Sequence, residues 1–490
     1  MDILIVFVGV LGGIMVGAMP GLTPTMGVAL LVPFTFYLSV SEGLTLLGAV
    51  YVGSVYGGAI TAILVNIPGA PASIATILDG HPMAKKGQPV RAIHLATVSS
   101  FVGGVIGVLL LIFFSPALSR LSLSFGPAEQ FWVAMFGITI IAALSVGSVI
   151  KGLIGGVLGI LLSTVGISSI TGTPRFTFGL NELIGGVHPI AALIGLFALS
   201  QGLCFVEKIF STNGESETID LSSKSTSIKE VVAEILKSKK MLGLGTSIGS
   251  LIGLIPGAGG QIASLVAYNE AKRASNKKEE FGEGCSHGII TAESANNAMV
   301  GTSLIPLLTL GIPGSPTAAV LLGGLLMNGL WPGPGLFDEN AAITYTFLYG
   351  MLGAQFFLLG IGLFGGKYFG KITQIPSHIM APAIFIFCVI GSFAIRNNVG
   401  DIIVMLVLGV IMYFLQKIDF NPAPIALGLI LGEYAEQGLL LAWRDSVAHS
   451  SLFSYFMDRP IVILFMVMSV LSVAFTVFWE YKKQKKCEAS

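Results

Sequence analysis

The sequence predicts an all-α polytopic membrane protein built from two related halves that contain broken helices. Of its 490 residues, 53% are hydrophobic and only 11% are charged, against about 25% charged residues in ordinary soluble domains. Apolar runs long enough to cross a bilayer core follow one another, for example at 101–114 with its extension 95–100, and at 460–479. A transmembrane β-barrel would show short alternating segments instead.

Composition and sequence motifs argue against several other classes of protein. The formal net charge is zero, so no basic surface indicates a nucleic-acid partner. The apolar run 1–19 lacks a positive n-region and an A-x-A-like site, which favours a retained first helix over a signal peptide. No P-loop and no H-E-x-x-H motif is present, so we expect an ion gradient or the membrane potential to supply energy. Four cysteines without C-x-x-C spacing predict neither a disulfide framework nor a metal site: Cys204, Cys285, Cys388 and Cys487.

A polar interruption at 207–240 divides the chain. It mixes lysines with acidic residues and includes a short predicted surface helix at about 227–238. We therefore expect four parts, which are a first membrane repeat at 1–206, a polar cytoplasmic linker at 207–240, a second membrane repeat at 241–456, and a C-terminal helix with a basic tail at 457–490.

The two halves resemble each other in sequence. "GAMPGLTPTMGVALL" at 17–31 pairs with "GLIPGAGGQIASLVA" at 253–267, and "AILVNIPGAPASIATIL" at 62–78 pairs with "LTLGIPGSPTAAVLL" at 308–322. Each half therefore carries two Pro-Gly breaks in the same order. The matching prolines are 236 residues apart for the first pair and 245 for the second, which indicates duplication.

The distribution of basic residues predicts that the repeats are inverted. In the first half they follow the second break, whereas in the second half they lie between the two breaks. If Lys and Arg mark the cytoplasmic side, equivalent loops face opposite sides of the membrane. The residues concerned are Lys85, Lys86 and Arg91 in the first half, and Lys272, Arg273, Lys277 and Lys278 in the second.

The four breaks are the predicted binding site. Proline and glycine interrupt a helix and free backbone groups, which membrane proteins tolerate only inside protein or beside water. The helix that resumes presents free N–H groups and partial positive charge to an anion. Simple proline kinks are the alternative, but paired breaks in both halves favour a transporter's midplane site.

Polar residues within the run 291–303 are candidates for the coupling ion. An intramembrane carboxylate such as Glu293 is a functional candidate because it is costly to bury. It either helps to hold a coupling cation or pairs with a nearby lysine. The coupling-ion candidates are Glu293, Ser294, Asn297 and Ser303. Glu433 and Glu436 share a helix face and are either structural or contact a partner.

Long motifs in the chain resemble a known family. They include "GAMPGLTPTMGVALLVPFTF", "YGGAITAILVNIPGAPASIATILDGHPMAKKG", "GLIPGAGGQIASLVAYNEAKRAS", "ESANNAMVGTSLIPLLTLGIPGSPTAAVLLGGLLMNGLWPGPGLF" and "NPAPIALGLILGEYAEQGL". The chain is similar to the TctA family, the large membrane subunits of tripartite tricarboxylate transporters. The resemblance covers nearly the whole chain apart from 207–240 and the tail.

This resemblance implies secondary active uptake of a carboxylate such as citrate, coupled to Na⁺ or H⁺ and without another cofactor. It implies a TctC-like extracytoplasmic solute-binding protein and a TctB-like small membrane subunit as partners. It also implies an elevator-like movement and a location in the prokaryotic cytoplasmic (inner) membrane. A homodimer and the identity of the carboxylate stay open.

Break geometry and resemblance together give the predicted substrate site. Its candidates are Pro20, Gly21, Thr23, Asn66, Pro68, Gly69, Pro71, Ser73, Pro256, Gly257, Gly259, Gly260, Gln261, Asn296, Asn297, Pro313, Gly314, Ser315, Pro316 and Thr317. The same site would suit an ion-independent channel or a transporter for another small organic anion. An intramembrane enzyme acting on lipid needs a carboxylate cluster or nucleophile, and only Glu293 qualifies, so we expect no enzyme.

Overall fold

The computed structural model describes residues 3–144, 148–168, 171–211, 227–276, 278–365, 368, 377–449 and 451–488. Seven helices in this part of the chain have the length and apolar composition to cross a membrane. They are Val40–Val65, Pro89–Ser119, Pro189–Glu207, Ala341–Phe364, Ile379–Arg396, Val399–Lys417 and Pro422–Asp445. The predicted class, an all-α multi-pass membrane protein, is confirmed.

The first half begins with short helices that alternate with long ones. They are α1 (Ile3–Gly17), α2 (Pro24–Leu31), α3 (Val40–Val65), α4 (Ile74–Lys85), α5 (Pro89–Ser119), α6 (Pro127–Leu144), α7 (Val149–Ser163), α8 (Pro189–Leu193) and α9 (Ser200–Ser211). A π-helical segment, Ile194–Leu199, joins α8 to α9. Two short antiparallel strands, β1 (Gly166–Ile167) and β2 (Pro174–Arg175), lie between α7 and α8.

The linker helix predicted at 227–238 is present as α10 (Ile228–Lys237). Its Val231 and Ile235 are buried, and its Glu234 accepts a 2.8 Å hydrogen bond from Arg91 of α5. This amphipathic helix therefore lies against the membrane helices, while 212–226 of the predicted linker lies outside the described residues.

The second half begins with helices of similar length and ends mainly with long ones. They are α11 (Lys239–Gly253), α12 (Gly259–Ala274), α13 (Ser286–Thr302), α14 (Leu304–Leu310), α15 (Pro316–Met327), α16 (Pro334–Phe337), α17 (Ala341–Phe364), α18 (Ser377–Arg396), α19 (Val399–Lys417), α20 (Pro422–Asp445), α21 (Leu452–Met457) and α22 (Pro460–Glu488). Arg459, just before α22, donates a 2.8 Å hydrogen bond to the buried Glu129 of α6, which ties the last helix to the first half.

Two helical hairpins form at the first and third breaks. The turn 18–23 joins α1 to α2, and α2 returns along α1, with Gly27 against the side chain of Val16. The turn 254–258 joins α11 to α12, and these two helices pack against each other. α1 and α11 have 15 residues each, about 22 Å, which is less than the roughly 30 Å of a bilayer core. Each hairpin therefore reaches only part of the way across.

The bases of the two hairpins lie at opposite ends of α3. At its first turn, Gly43 lies against Thr35, which follows α2. At its other end, Ile63 lies against Gly80 of α4. The neighbouring Asp79 binds the loop that follows α12. Since α3 has 26 residues, about 39 Å in length, the hairpins enter from opposite sides of the protein.

Glycines of α1 and α11 allow these helices to touch their neighbours backbone to backbone. A Cβ atom at Gly13 would lie 2.5 Å from the carbonyl oxygen of Val50 in α3, and one at Gly249 would lie 2.1 Å from that of Ala295 in α13. Even a methyl group would therefore collide with main chain at both positions. Gly13 and Gly249 are 236 residues apart in the sequence, and Val50 and Ala295, which carry the two carbonyl groups, are 245 apart. The same two offsets separate the matching prolines of the breaks, so the glycine contact recurs at the spacing of the breaks.

Candidate functional site

Each of the four Pro-Gly breaks lies between two helices. Pro20-Gly21 lies between α1 and α2, Pro68-Gly69 between α3 and α4, Pro256-Gly257 between α11 and α12, and Pro313-Gly314 between α14 and α15. Gly257 has a φ of 77°, and a Cβ atom there would lie 2.6 Å from Cγ1 of Ile141. The backbone at this turn therefore requires glycine.

Within each half, the first helix ends against the second break. A Cβ atom at Gly69 would lie 2.3 Å from the carbonyl oxygen of Gly17, the last residue of α1. In the second half, a Cβ atom at Gly314 would lie 2.8 Å from the carbonyl oxygen of Gly253, the last residue of α11. The glycine of each second break thus permits the close approach of a helix end.

Hydrogen bonds connect the breaks of different halves. The hydroxyl groups of Thr25 and Thr317 lie 2.9 Å apart, which joins the start of α2 to the start of α15. Ser264 of α12 donates a 2.6 Å hydrogen bond to the carbonyl oxygen of Ala72, which follows the second break. Within the second half, the N–H of Gly259 donates to the carbonyl oxygen of Gly314 at 3.2 Å, which connects the third break to the fourth. All four breaks therefore form one contiguous cluster.

The helices that resume after the breaks differ in how they are capped. Thr23 caps α2 by accepting from the N–H of Met26, and Ser315 caps α15 by accepting from the N–H of Ala318. α12 follows Ala258 and has no side-chain cap. The turn Pro71–Ser73 and α4, which follow the second break, have no side-chain cap either. The starts of α12 and α4 are therefore the two that can offer N–H groups to an anion, apart from the N–H of Gly259, which already donates to Gly314.

Asn296 faces the uncapped first turn of α12. Its side chain is only 1% exposed, and neither amide atom has a hydrogen-bond partner. A Cβ atom at Gly260 would lie 2.6 Å from Oδ1 of Asn296 and 2.9 Å from Cβ of Ala72, so these three residues converge. We call Asn296, Ala72 and the first turn of α12, Gly259–Gln261, the tip site. Buried amides are normally paired, so an unpaired one here indicates a missing partner.

The position at which the predicted repeat would place a counterpart of Asn296 holds a tyrosine. The offset of 245 residues pairs Asn296 with Tyr51. The hydroxyl of Tyr51 lies 2.8 Å from that of Ser315 and 3.4 Å from that of Ser303. The hydroxyl of Tyr51 therefore forms a hydrogen bond at the start of α15. The amide of Asn296, in contrast, forms none at the start of α12.

Glu293 lies in a second polar cluster on the same helix, α13. It is 0% exposed, and the hydroxyl of Thr76 donates a short hydrogen bond to its Oε1. Ser100 of α5 donates to its Oε2 at 2.9 Å, and Asn297 donates to Ser100 at 2.8 Å. Three helices therefore converge on a single carboxylate.

Two predicted coupling-ion residues lie elsewhere. The hydroxyl of Ser294 bonds to the carbonyl oxygen of Thr291 and faces α11 near Gly245. Ser303 bonds to the carbonyl oxygen of Val300 and lies beside Tyr51. The structure groups Glu293 with Asn297 and not with these two serines.

The other predicted site residues differ in accessibility. Asn66, which ends α3 with a φ of 59°, is exposed, whereas Ser73 is buried with an unpaired hydroxyl against Gly58. The remaining exposed ones are Gly21, Pro68 and Pro71; Pro20, Thr23, Pro256, Gly257, Gln261 and Pro316 are half-buried; and Gly69, Gly259, Gly260, Pro313, Gly314, Ser315 and Thr317 are buried.

Four residues with polar side chains in or near these clusters were not among the predicted site residues: Thr76, which follows the second break, and Ser100, Tyr51 and Asp79. Ser100 and Tyr51 lie in apolar runs without a break, and the only signal for them is a polar group in such a run. Oδ1 of Asp79 accepts three backbone hydrogen bonds, from Gly282, Gly284 and Cys285, at 2.7–2.9 Å. Asp79 therefore fixes the loop before α13 to the middle of α4.

Glu436 and Glu433 lie away from both clusters. Glu436 accepts a 2.7 Å hydrogen bond from Arg175, which makes it part of a structural ion pair, and Glu433 is exposed on α20. Among the described residues, no group of three or more His, Cys, Asp and Glu side chains is arranged to hold a metal ion.

A cavity of about 350 Å³ lies beside the fourth break. Its lining includes Leu310 and Ile312 next to the break, and Trp331, which stacks on Tyr434 with ring centroids 6.5 Å apart. The polar side chains of Gln130 and Gln437 also line it, but no charged residue does. The cavity therefore offers no charged partner to a carboxylate.

Comparisons with known proteins agree with these features. A family model described as "Tripartite tricarboxylate transporter TctA family" matches residues 3–427, a range that includes all four breaks. A 52.8 kDa Agrobacterium vitis protein, described by its place in the TAR-I ttuC' 3' region, is 35% identical over 448 residues, covering 91% of this chain and 88% of the relative. A second protein of that organism, from the TAR-II ttuC' 3' region, is 37% identical over 205 residues, covering 42% of this chain and 85% of the relative.

Proposed function

Because the chain belongs to the tripartite tricarboxylate transporter TctA family, we propose that it is the large permease subunit of a binding-protein-dependent secondary transporter. It imports a tricarboxylate or a related carboxylate, driven by a Na⁺ or H⁺ gradient. The chain itself carries out transport and no chemical reaction.

The tip site is the observation that carries this proposal. A carboxylate group needs hydrogen-bond donors and positive potential, and the first turn of α12 offers both without an arginine. The amide of Asn296 adds a donor that no protein group uses. Hydrogen bonds to a charged group are worth about 1.5–3 kcal/mol each, so binding a carboxylate there offsets the loss of its water.

The proposal includes two inverted repeats and an elevator-like movement of the hairpins. Support for inversion comes from the hairpin bases at opposite ends of α3 and from the matched contacts of Gly13 and Gly249. In inverted-repeat transporters the substrate lies where the broken helices of both repeats meet, which is the position of the tip site.

The proposed setting is the prokaryotic cytoplasmic (inner) membrane. A TctC-like extracytoplasmic protein delivers the carboxylate, and a TctB-like small membrane subunit completes the complex. The family assignment supports both partners.

Uptake of radiolabelled citrate by proteoliposomes that contain the complete complex tests the proposal. We expect saturable uptake that requires an imposed Na⁺ or H⁺ gradient, and exchange of internal for external citrate when that gradient is dissipated. Flux that neither saturates nor exchanges would indicate an ion-independent channel instead. Absence of flux with citrate and with other carboxylates would contradict the proposal.

A further inference from the structure

We propose that Glu293, Thr76, Ser100 and Asn297 form a binding site for one Na⁺ ion that controls the tip site. This inference rests on the proposed function and assigns the coupling ion to particular atoms. Of the residues predicted to hold the ion, it retains Glu293 and Asn297, adds Thr76 and Ser100, and leaves out Ser294 and Ser303.

The cluster supplies the oxygen ligands that hard cations prefer. Glu293 contributes two carboxylate oxygens, and the hydroxyl oxygens of Thr76 and Ser100 bond directly to them. Oδ1 of Asn297, which is 1% exposed, has no hydrogen-bond partner. Its Nδ2 already donates to Ser100 and to the carbonyl oxygen of Glu293. The cluster thus holds an unused acceptor oxygen beside a buried negative charge.

The charge of the cluster favours a monovalent cation. Each hydrogen bond to the carboxylate of Glu293 comes from a neutral hydroxyl or amide group. Among the described residues, no Lys, Arg or His forms an ion pair with it. One Na⁺ ion would neutralise this charge, whereas a divalent ion would leave a net positive charge buried, which is unfavourable.

The surrounding oxygens favour Na⁺ over a proton. A proton on the carboxylate of Glu293 adds a single O–H donor, which can reach one acceptor such as Oδ1 of Asn297. A Na⁺ ion can contact Oδ1, the carboxylate and both hydroxyl oxygens together. Several oxygens converge here where a proton would need only one, which is the arrangement that a hard cation requires.

The Na⁺ site and the tip site share two structural elements. Asn297 and Asn296 are adjacent on α13, with Asn297 on the Glu293 side and Asn296 on the α12 side. Thr76 and Ala72 lie one turn apart where α4 begins. An ion that holds Thr76 and Asn297 together therefore also fixes Ala72 and Asn296. Na⁺ and the carboxylate are thus expected to raise each other's affinity by the same factor.

Equilibrium binding of radioactive Na⁺ to the purified full-length chain in detergent tests this site directly. We expect saturable binding to the unmodified chain and none to Glu293→Gln, which keeps the side-chain size but removes the charge. Ser100→Ala should bind at least about tenfold more weakly, as is typical when a hydrogen-bond partner of a ligand is removed. Glu433→Gln, the same change at an exposed glutamate, should bind as the unmodified chain does.

Thermal unfolding separates loss of the site from loss of the fold. Na⁺ should raise the melting temperature of the unmodified chain and of Glu433→Gln, but not that of Glu293→Gln, with K⁺ as the control ion. Unchanged Na⁺ affinity in a folded Glu293→Gln variant would overturn the site. So would citrate uptake driven only by a proton gradient, with no Na⁺ binding, although the proposed function would then stand. Saturable Na⁺ binding that depends on Glu293, in a complex that transports no carboxylate, would overturn the proposed function and with it the coupling.

Discussion

The hydroxyl group of Thr25 lies 2.9 Å from that of Thr317, although the two residues are 292 positions apart in the chain. Thr25 lies in the first turn of α2 and Thr317 in the first turn of α15. Two helices that resume after breaks in different halves therefore begin side by side, and polar groups near both breaks are buried together between them.

Cross-linking tests this contact. In a background without the four native cysteines, we expect the double variant Thr25→Cys/Thr317→Cys to form a disulfide on mild oxidation. A protease site inserted within 207–240 separates the halves, so a cross-linked chain stays intact on a non-reducing gel after cleavage. Each single variant is the control. Two separate fragments from the oxidised double variant would contradict the contact.

Replacing Asn296 with alanine should weaken citrate binding and uptake without reducing stability. The amide makes no hydrogen bond in the structure, so Asn296→Ala removes no protein contact of that kind. Losing one bond of about 1.5–3 kcal/mol to a carboxylate should weaken citrate binding by at least about tenfold. Uptake and the melting temperature of the same preparation are the measurements. A lower melting temperature with normal uptake would make Asn296 a structural residue.

Asp79 should hold the loop before α13 in place. Asp79→Ala removes the acceptor of three backbone N–H groups, of which that of Cys285 is buried and those of Gly282 and Gly284 are part-buried. Leaving the buried group unpaired is destabilising by about 1–3 kcal/mol, whereas Asp79→Asn keeps an acceptor oxygen. With the other cysteines replaced by serine, the buried Cys285 should react with a maleimide much faster in Asp79→Ala than in Asp79→Asn. Equal labelling of the two variants would show that the three hydrogen bonds do not hold the loop.

The close contact between α11 and α13 gives a matched pair of glycine substitutions. Gly249→Ala places a Cβ atom 2.1 Å from the carbonyl oxygen of Ala295, whereas one at Gly243, on the same helix, meets no atom within 4 Å. We expect Gly249→Ala to be destabilising by about 1–3 kcal/mol and Gly243→Ala to be neutral or slightly stabilising. Melting temperatures in detergent compare them, and equal values would contradict the packing.

The first half offers the same comparison. Gly13→Ala should be destabilising, because its Cβ atom would lie 2.5 Å from the carbonyl oxygen of Val50, whereas Gly12→Ala meets no atom within 4 Å. If the halves are repeats, Gly13→Ala and Gly249→Ala should lower the melting temperature by similar amounts. A large effect in only one half would argue that the shared offsets do not reflect shared packing.

Much of the fold could be predicted from the sequence because lipid imposes strong constraints. Long apolar runs identify membrane helices, and backbone breaks must be buried in protein or line a cavity. The positions of Pro20-Gly21, Pro68-Gly69, Pro256-Gly257 and Pro313-Gly314 therefore mark the four interruptions correctly. The short amphipathic helix before the second half was also readable from its pattern.

The composition of the two clusters could not be predicted in the same way. Consecutive helical residues point about 100° apart, so Asn296 and Asn297 serve different clusters and Ser294 faces away from Glu293. Ser100 comes from a helix that has no break, and its contact with Glu293 depends on how α5 crosses α13. Pairing across 193 residues leaves no local signal in one sequence.

A cryo-electron microscopy map of the complete complex in nanodiscs, recorded with and without saturating citrate, tests the central claim most directly. We predict that citrate adds density within hydrogen-bonding distance of the Asn296 side chain and of the first-turn N–H groups of α12, next to Ala72. Citrate density in the cavity beside Trp331, or a first turn of α12 that faces lipid and lies away from Asn296, would contradict the account.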